Sequence, residues 1–351
     1  LYTFVDQIIV GRVLGKEALA SVGASFPILF TLIALIIGIA TGGTIVISQF
    51  FGARDFKKVK RAIDTIFIVM AASSVFMTVV GIRFTEDIFR LINLPEELME
   101  TAVAYFTIYV SGLVVFFGYN SVAAVLRGLG DSITPLYFLV LATVLNIGLD
   151  LLFIVKFGWG VEGAALATII AQGVAFMVAV FYLNSTHELI KFNLREFAFD
   201  RAIFKQSLRI GLPTGLQQTF VAVGMLALMG IVNGFGTDVV AAYTAAGRLD
   251  SLAIIPSMVF STALSTFVGQ NIGAGKIERV KKGLSRTLIM ASAVALGTTA
   301  LIIIFKTPLM GLFTTDPEVI RIGGDYLTIV TSFYLLFTGM FIYAGVMRGA
   351  G

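Results

Sequence analysis

Five polar residues sit where an otherwise apolar chain should carry none. In the stretch LATVLNIGLDLLFIVKFGWGVEGAALATIIAQG, residues 141–173, Asn146 and Asp150 stand four apart, and Thr168 and Gln172 repeat that spacing. Residues four apart share one face of a helix. A fifth polar residue, Asp6 in YTFVDQIIVG, lies in the first apolar run. A carboxylate at the centre of a spanning helix costs about 2.5–3.5 kcal/mol on insertion scales, so these groups must face a protein interior. The bland role for such a carboxyl is to cross-link helices by hydrogen bonding. The chemical role is cation exchange, because two carboxylates in one dry site cannot both ionise freely and can share a proton. The same oxygens suit Na+, a hard cation, with the Asn146 carbonyl and the Thr168 hydroxyl completing the shell.

The segments that carry these residues follow from composition. The 351-residue chain is 58% hydrophobic and 13% charged, against about 25% charged in a soluble domain, which makes it a polytopic membrane protein. It has no cysteine, so disulfides, thiolate metal sites and cysteine nucleophiles are excluded. Its one histidine, His187, falls in a polar connector, which removes Ser-His catalysis and histidine metal sites. No GxxxxGK[ST] phosphate loop occurs, so energy must come from a gradient. The net charge of +4 arises from loop residues and implies no nucleic-acid partner.

A spanning helix needs roughly 20 apolar residues. That criterion predicts ten segments: residues 1–14 (partial), 18–50, 61–83, 99–126, 132–156, 160–184, 208–234, 239–272, 284–305 and 319–347. Pro27, Pro213 and Pro256 fall inside them and are the expected kinks. Lys and Arg concentrate after the even-numbered segments, as in Arg54, Lys57, Lys58 and Lys60 or Arg279, Lys281 and Lys282. The positive-inside rule puts those connectors, and both ends of the sequence, in the cytoplasm.

An internal repeat fixes the architecture. SQFFGARDFKKVKRA (48–62) matches GQNIGAGKIERVKKG (269–283) at an offset of 221, and the same offset pairs Tyr105 with Tyr326 and VLRGLG (125–130) with VMRGAG (346–351). Six segments separate equivalent positions, which preserves orientation, so the repeats should be parallel about an axis along the membrane normal. The expected fold is an all-α membrane protein of two parallel six-helix lobes. The expected division is an N-lobe over 1–185, a cytoplasmic connector over 186–207 and a C-lobe over 208–351. The offset also predicts a natural protein of twelve helices, here cut to about ten.

Depth sharpens the site. At 1.5 Å per residue, Asp6 falls about 13 Å, Asp150 about 10 Å and Thr168 about 12 Å from the outer ends of their helices, with Tyr105 near 10 Å. Asn146 lies a turn deeper than Asp150. Four helices thus bring polar groups to one layer in the outer half of the membrane. In the second half, Ala227 stands at the position of Asp6. Gln217 and Gln218 are polar there, with Gln172, Tyr105 and Asn120 as further candidates for a substrate cavity. Asp250, two residues after Arg248 and the one acid well inside the second half, reads either as a local salt bridge or as a functional acid, and Asp64 and Asp325 are expected to be solvated near helix ends. The Gly38/Gly42 and Gly11/Gly15 pairs should allow close helix approach.

The motifs VDQIIVGRVLGKEALASVGAS, SQFFGARD, VLRGLGD, LNIGLDLLFI, GAALATIIAQ and VGQNIGAGK, in that order over nearly the whole chain, resemble those of the multidrug and toxic compound extrusion (MATE) transporters. The resemblance implies two six-helix lobes forming a V around a central cavity and drug export driven by H+ or Na+. In the prokaryotic DNA-damage-inducible-type branch it implies a first-lobe cation site, matched here by Asp6, Asn146, Asp150 and Thr168. Acids that another branch carries in its second lobe align with Val221 and Phe337. The expected activity is therefore cation-coupled antiport of amphipathic, often cationic compounds across the inner membrane of a prokaryote, by a monomer with no cofactor beyond the coupling ion. Its partners are small-molecule substrates and membrane lipid. The rival within the superfamily is a lipid-linked oligosaccharide flippase, which needs cavity cations to hold pyrophosphate.

Overall fold

The computed structural model describes residues 2–92, 94–186 and 197–351. Among them thirteen α-helices run in the order α1 (Tyr2–Val13), α2 (Lys16–Gly52), α3 (Phe56–Arg83), α4 (Thr85–Leu91), α5 (Glu96–Ser111), α6 (Leu113–Leu129) and α7 (Thr134–Asp150). A π-helical stretch, Leu151–Lys156, extends α7. Then follow α8 (Gly160–Thr186), α9 (Arg201–Asn233), α10 (Thr237–Gly273), α11 (Ile277–Gly311), α12 (Pro317–Ser332) and α13 (Tyr334–Ala350). Seven helical stretches are long and apolar enough to cross a membrane, and the bent pairs α5–α6 and α12–α13 bring the number to nine. Large apolar side chains such as Phe76, Phe181 and Phe220 lie exposed on them, as a surface against lipid requires. The chain is a multi-pass membrane protein.

The internal repeat is visible element by element. Shifted by 221, the bounds of α2, α5 and α6 become those of α10, α12 and α13. The bend between α5 and α6 is 45° and that between α12 and α13 is 46°. Phe84, between α3 and α4, has φ −111° and ψ 15°. Its counterpart Phe305 breaks α11 at φ −106° and ψ 15°. Pro308 follows Phe305 and removes a donor to the preceding turn, yet the first repeat makes the same break with no proline. Thr78 Oγ1 donates to the Val110 carbonyl at 2.9 Å, and its counterpart Thr299 to Thr331 at 3.1 Å. Gly15 and Gly236 both turn the chain at positive φ, +89° and +94°, where a side chain would be strained.

The chain divides into two compact units, Leu1–Ile47 with Asp55–Leu216, and Ser48–Arg54 with Gln217–Gly351. In the first, Gly38 faces the backbone of Gly211 and Gly215, and Gly42 faces Ser207 and Gly211. Small residues on both helices let α2 and α9 approach this closely, as the Gly38/Gly42 spacing predicts. Gly11 instead meets the Leu19 side chain. In the second unit, Gly52 sits against the Gln270 carbonyl and Gly273 against that of Gln49. These positions are also 221 apart, and a contact in which each partner repeats the other's role marks a local twofold.

Two expectations change in detail. The seventh spanning helix starts at Arg201 rather than 208, because Asp200 caps it by accepting from the Ala202 and Ile203 amides at 2.9 and 3.1 Å. His187 and most of the connector lie outside the described residues. Pro256 lies inside α10, which is helical on both sides of it. Asp64 is buried rather than solvated, and Lys60 reaches it at 2.6 Å.

Candidate functional site

Three elements of the first unit bring the predicted polar residues together. Asp6 comes from α1, Asn146 and Asp150 from the last turns of α7, and Thr168 and Gln172 from the middle of α8. All five are buried, with exposures between 0% and 6%. The i, i+4 spacing on α7 and α8 aims each pair at one side. α1 packs against α7, α8 and the π-helical stretch, which places Asp6 opposite both pairs.

Thr168 is the hub. Its hydroxyl accepts from the Asn146 amide at 3.4 Å and donates toward Asp6 Oδ2 at 3.5 Å or to the Ala164 carbonyl at 3.1 Å. Asp150 lies one turn beyond Asn146 on the same side of α7, the helix against which α1 packs. Asp6 Oδ1, Asn146 Oδ1 and both carboxyl oxygens of Asp150 are buried with no hydrogen-bond donor. Buried polar atoms are nearly always paired, and four orphaned oxygens in one place form an acceptor-only pocket. Such a pocket fits a proton or a hard monovalent cation. Among the described residues no group of three or more His, Cys, Asp or Glu could hold a metal ion. The donor set here is two carboxylates, one amide oxygen and one hydroxyl.

The backbone is unusual directly beside Asp150. The π-helical stretch starts at the next residue, and the Phe157 amide closes it on the Leu152 carbonyl at 3.0 Å. Wider turns of this kind gather at functional sites. Phe153, Phe157 and Trp159 stack at the turn, with Phe153 and Trp159 centroids 4.9 Å apart. Gly158 and Gly160, at φ +68° and +60°, allow the chain to reverse into α8. Sequence reasoning missed the π-helical stretch, since LLFIVK reads as ordinary apolar helix.

The remaining candidates lie on other helices. Tyr105 is buried on α5, 6.0 Å from the Tyr109 ring. None of the bonds that hold Asp6, Asn146 and Thr168 involves it. Asn120 donates to Phe116 of its own helix at 2.8 Å. On α9, Gln217 is exposed and Gln218 half-buried. In the second unit Asp250 accepts from the Tyr334 hydroxyl at 2.7 Å. Among the described residues no ion pair joins it to Arg248, so the local salt-bridge reading is replaced by a bond between helices.

The MatE family profile matches residues 1–152 and 213–351. A probable multidrug resistance protein of Bacillus subtilis, YpnP, is 34% identical over 352 residues, covering 100% of this chain and 78% of that one. A second from the same organism, YoeA, is 32% identical over 354 residues, covering 99% and 76%. A solved outward-facing structure of a multidrug resistance MATE family transporter of the MOP superfamily aligns with a TM-score of 0.93 at 28% identity, covering 100% of this chain and 78% of that chain.

Proposed function

From the premise that the chain belongs to the MatE family, and is therefore a secondary transporter of the multidrug efflux type rather than an enzyme, we propose that it is a cation-coupled antiporter of amphipathic, often cationic compounds. The coupling ion, H+ or Na+, binds at Asp6, Asn146, Asp150 and Thr168. One observation carries this reading: four buried oxygens from α1 and α7 converge with no donor to satisfy them. An uncompensated carboxylate in the membrane is expensive. A proton or Na+ arriving there removes that penalty, and its departure restores it. The ion thus acts as a ligand with different affinities for two states, which is what drives a transport cycle.

The lobe division at 1–185 and 208–351, with a connector between, belongs to the same proposal. So do the placement in the cytoplasmic membrane of a prokaryote, with Lys- and Arg-rich connectors inside, the monomeric state, and the absence of a cofactor. The test is transport of a cationic dye in proteoliposomes under a pH gradient alone and a Na+ gradient alone. Dye accumulation under one gradient and its collapse with an ionophore for that ion supports antiport. Equal flux with no gradient overturns it.

A further inference from the structure

The second repeat holds a polar seam that the transport site leaves unused. Between α10 and α13, Tyr334 donates to Asp250 at 2.7 Å, and the hydroxyls of Ser257 and Thr338 share a hydrogen bond of 2.8 Å. Further along, Ser261 donates to the Phe341 carbonyl at 2.5 Å and accepts from Arg348 at 2.7 Å. Between the first two pairs lies a cavity of about 10 Å³ lined by Tyr334, Ser257 and Thr338 among apolar neighbours. That is about the room one water needs, and three hydroxyls supply its partners.

The fold does not demand these residues. At the equivalent positions of the first repeat, Asp250 is replaced by Leu29, Tyr334 by Leu113, Ser257 by Ile36, Thr338 by Phe117 and Ser261 by Ala40. The two helices of the first repeat have the same bounds, with Leu29, Ala40, Leu113 and Phe117 buried. Five polar substitutions along one line, in a membrane helix pair that packs well without them, call for a chemical reason.

We propose that Asp250, Tyr334 and the water-sized cavity beside them form a second proton-binding site, built into the second repeat and separate from the Asp6 cluster. A proton reaching the Ser257–Thr338 pair passes on by concerted exchange. The water takes a proton from the pair and gives one of its own to the phenol oxygen of Tyr334, whose original proton moves to Asp250. Every intermediate group ends with as many protons as it began, and only Asp250 changes charge. The surrounding groups leave that role to Asp250. On α12 Tyr326 lies nearby, with Tyr243 of α10 packed edge-on against it at 5.4 Å. Asp325 is exposed and held by Arg321 at 3.3 Å. Lys306 of α11 donates to Thr328 at 3.0 Å. Arg248 is exposed on α10, and Arg348 of α13 is engaged at the far end of the seam, where its fixed charge repels a proton.

Infrared difference spectra of the full-length protein in lipid, stepped through pH, test this without requiring transport. Asp250→Asn removes one carboxylic-acid carbonyl band that both Asp6→Asn and Asp150→Asn leave in place. Tyr334→Phe, which keeps the carboxyl and packs similarly, shifts that band and its pH midpoint. Ser257→Ala with Thr338→Val slows deuterium exchange at the band. Spectra of Asp250→Asn that match the parent at every pH overturn the proposal, as does a Tyr334→Phe band that stays unmoved. If Asp250→Asn fails to fold, Tyr334→Phe decides. The outcome is independent of whether the Asp6 cluster couples transport.

Discussion

Set side by side, the stretch from α2 to α6 and the stretch from α10 to α13 share backbone and differ in chemistry. Their helices start and stop at matched positions, bend by 45° and 46°, and break at Phe84 and Phe305 with nearly the same dihedrals. Only one of the two breaks has a proline nearby. Geometry common to both therefore comes from packing that many sequences satisfy. Apart from Thr44 and Ser265, the buried polar groups of these stretches do not repeat. The first unit gathers its acids from α1 and α7, and the second gathers its polar residues between α10 and α13. Where the frame is duplicated, function is carried by the few side chains that break the symmetry.

The largest effect should come from the acids that break it. Asp6→Asn and Asp150→Asn keep size and remove the charge change, and each should abolish gradient-driven dye export while membrane abundance holds. Ala227→Asp, at the position of Asp6 in the second repeat, should not restore export to Asp6→Asn, because its surroundings lack the Asn146 and Thr168 partners.

A second comparison concerns close packing. Gly42 meets the backbone of Ser207 and Gly211, whereas its counterpart Ala263 is exposed. Gly42→Leu should therefore destabilise the protein by about 3 kcal/mol, as overpacking does. Ala263→Leu should stay within about 0.5 kcal/mol, as surface changes do. Thermal unfolding in detergent, followed by fluorescence or calorimetry, reads the difference, and equal losses would break the comparison.

Thr168→Val removes the hub hydroxyl without changing volume. With two long hydrogen bonds lost, at about 1 kcal/mol or less in total, the ion concentration giving half-maximal export should rise by up to about fivefold. The smallest effect on export belongs to Asp250→Asn, which should retain most gradient-driven flux. Loss of export there as complete as in Asp150→Asn would place the coupling ion in the second repeat.

Much of this was legible in the sequence for identifiable reasons. A carboxylate in lipid is so unfavourable that Asp6 and Asp150 declare an interior, and i, i+4 spacing gives the face. Depth along a helix is readable from residue counts and azimuth is not, so the sequence places Tyr105 in the layer of the cluster without giving the direction it faces. The bend at Phe333 was hidden because SFYL carries no proline or glycine to announce it. Proximity in the chain pairs Asp250 with Arg248. Residues two apart point away from each other on a helix, and Tyr334, distant in sequence, is the partner that geometry offers. The position of Asp64 near a helix end suggests solvent, but Lys60 one turn earlier on the same face holds it inside.

If the Asp6–Asp150 cluster carries the coupling ion, the most direct measurement is the ion flux evoked by drug. In proteoliposomes with no imposed ion gradient, a drug gradient is applied and the counter-movement of H+ and Na+ is followed with an internal pH dye and a Na+ tracer. The parent protein should move one of these ions against the drug, and Asp150→Asn should move neither while still binding the drug at equilibrium. Drug-evoked ion flux in Asp150→Asn and Asp6→Asn equal to that of the parent would contradict the account.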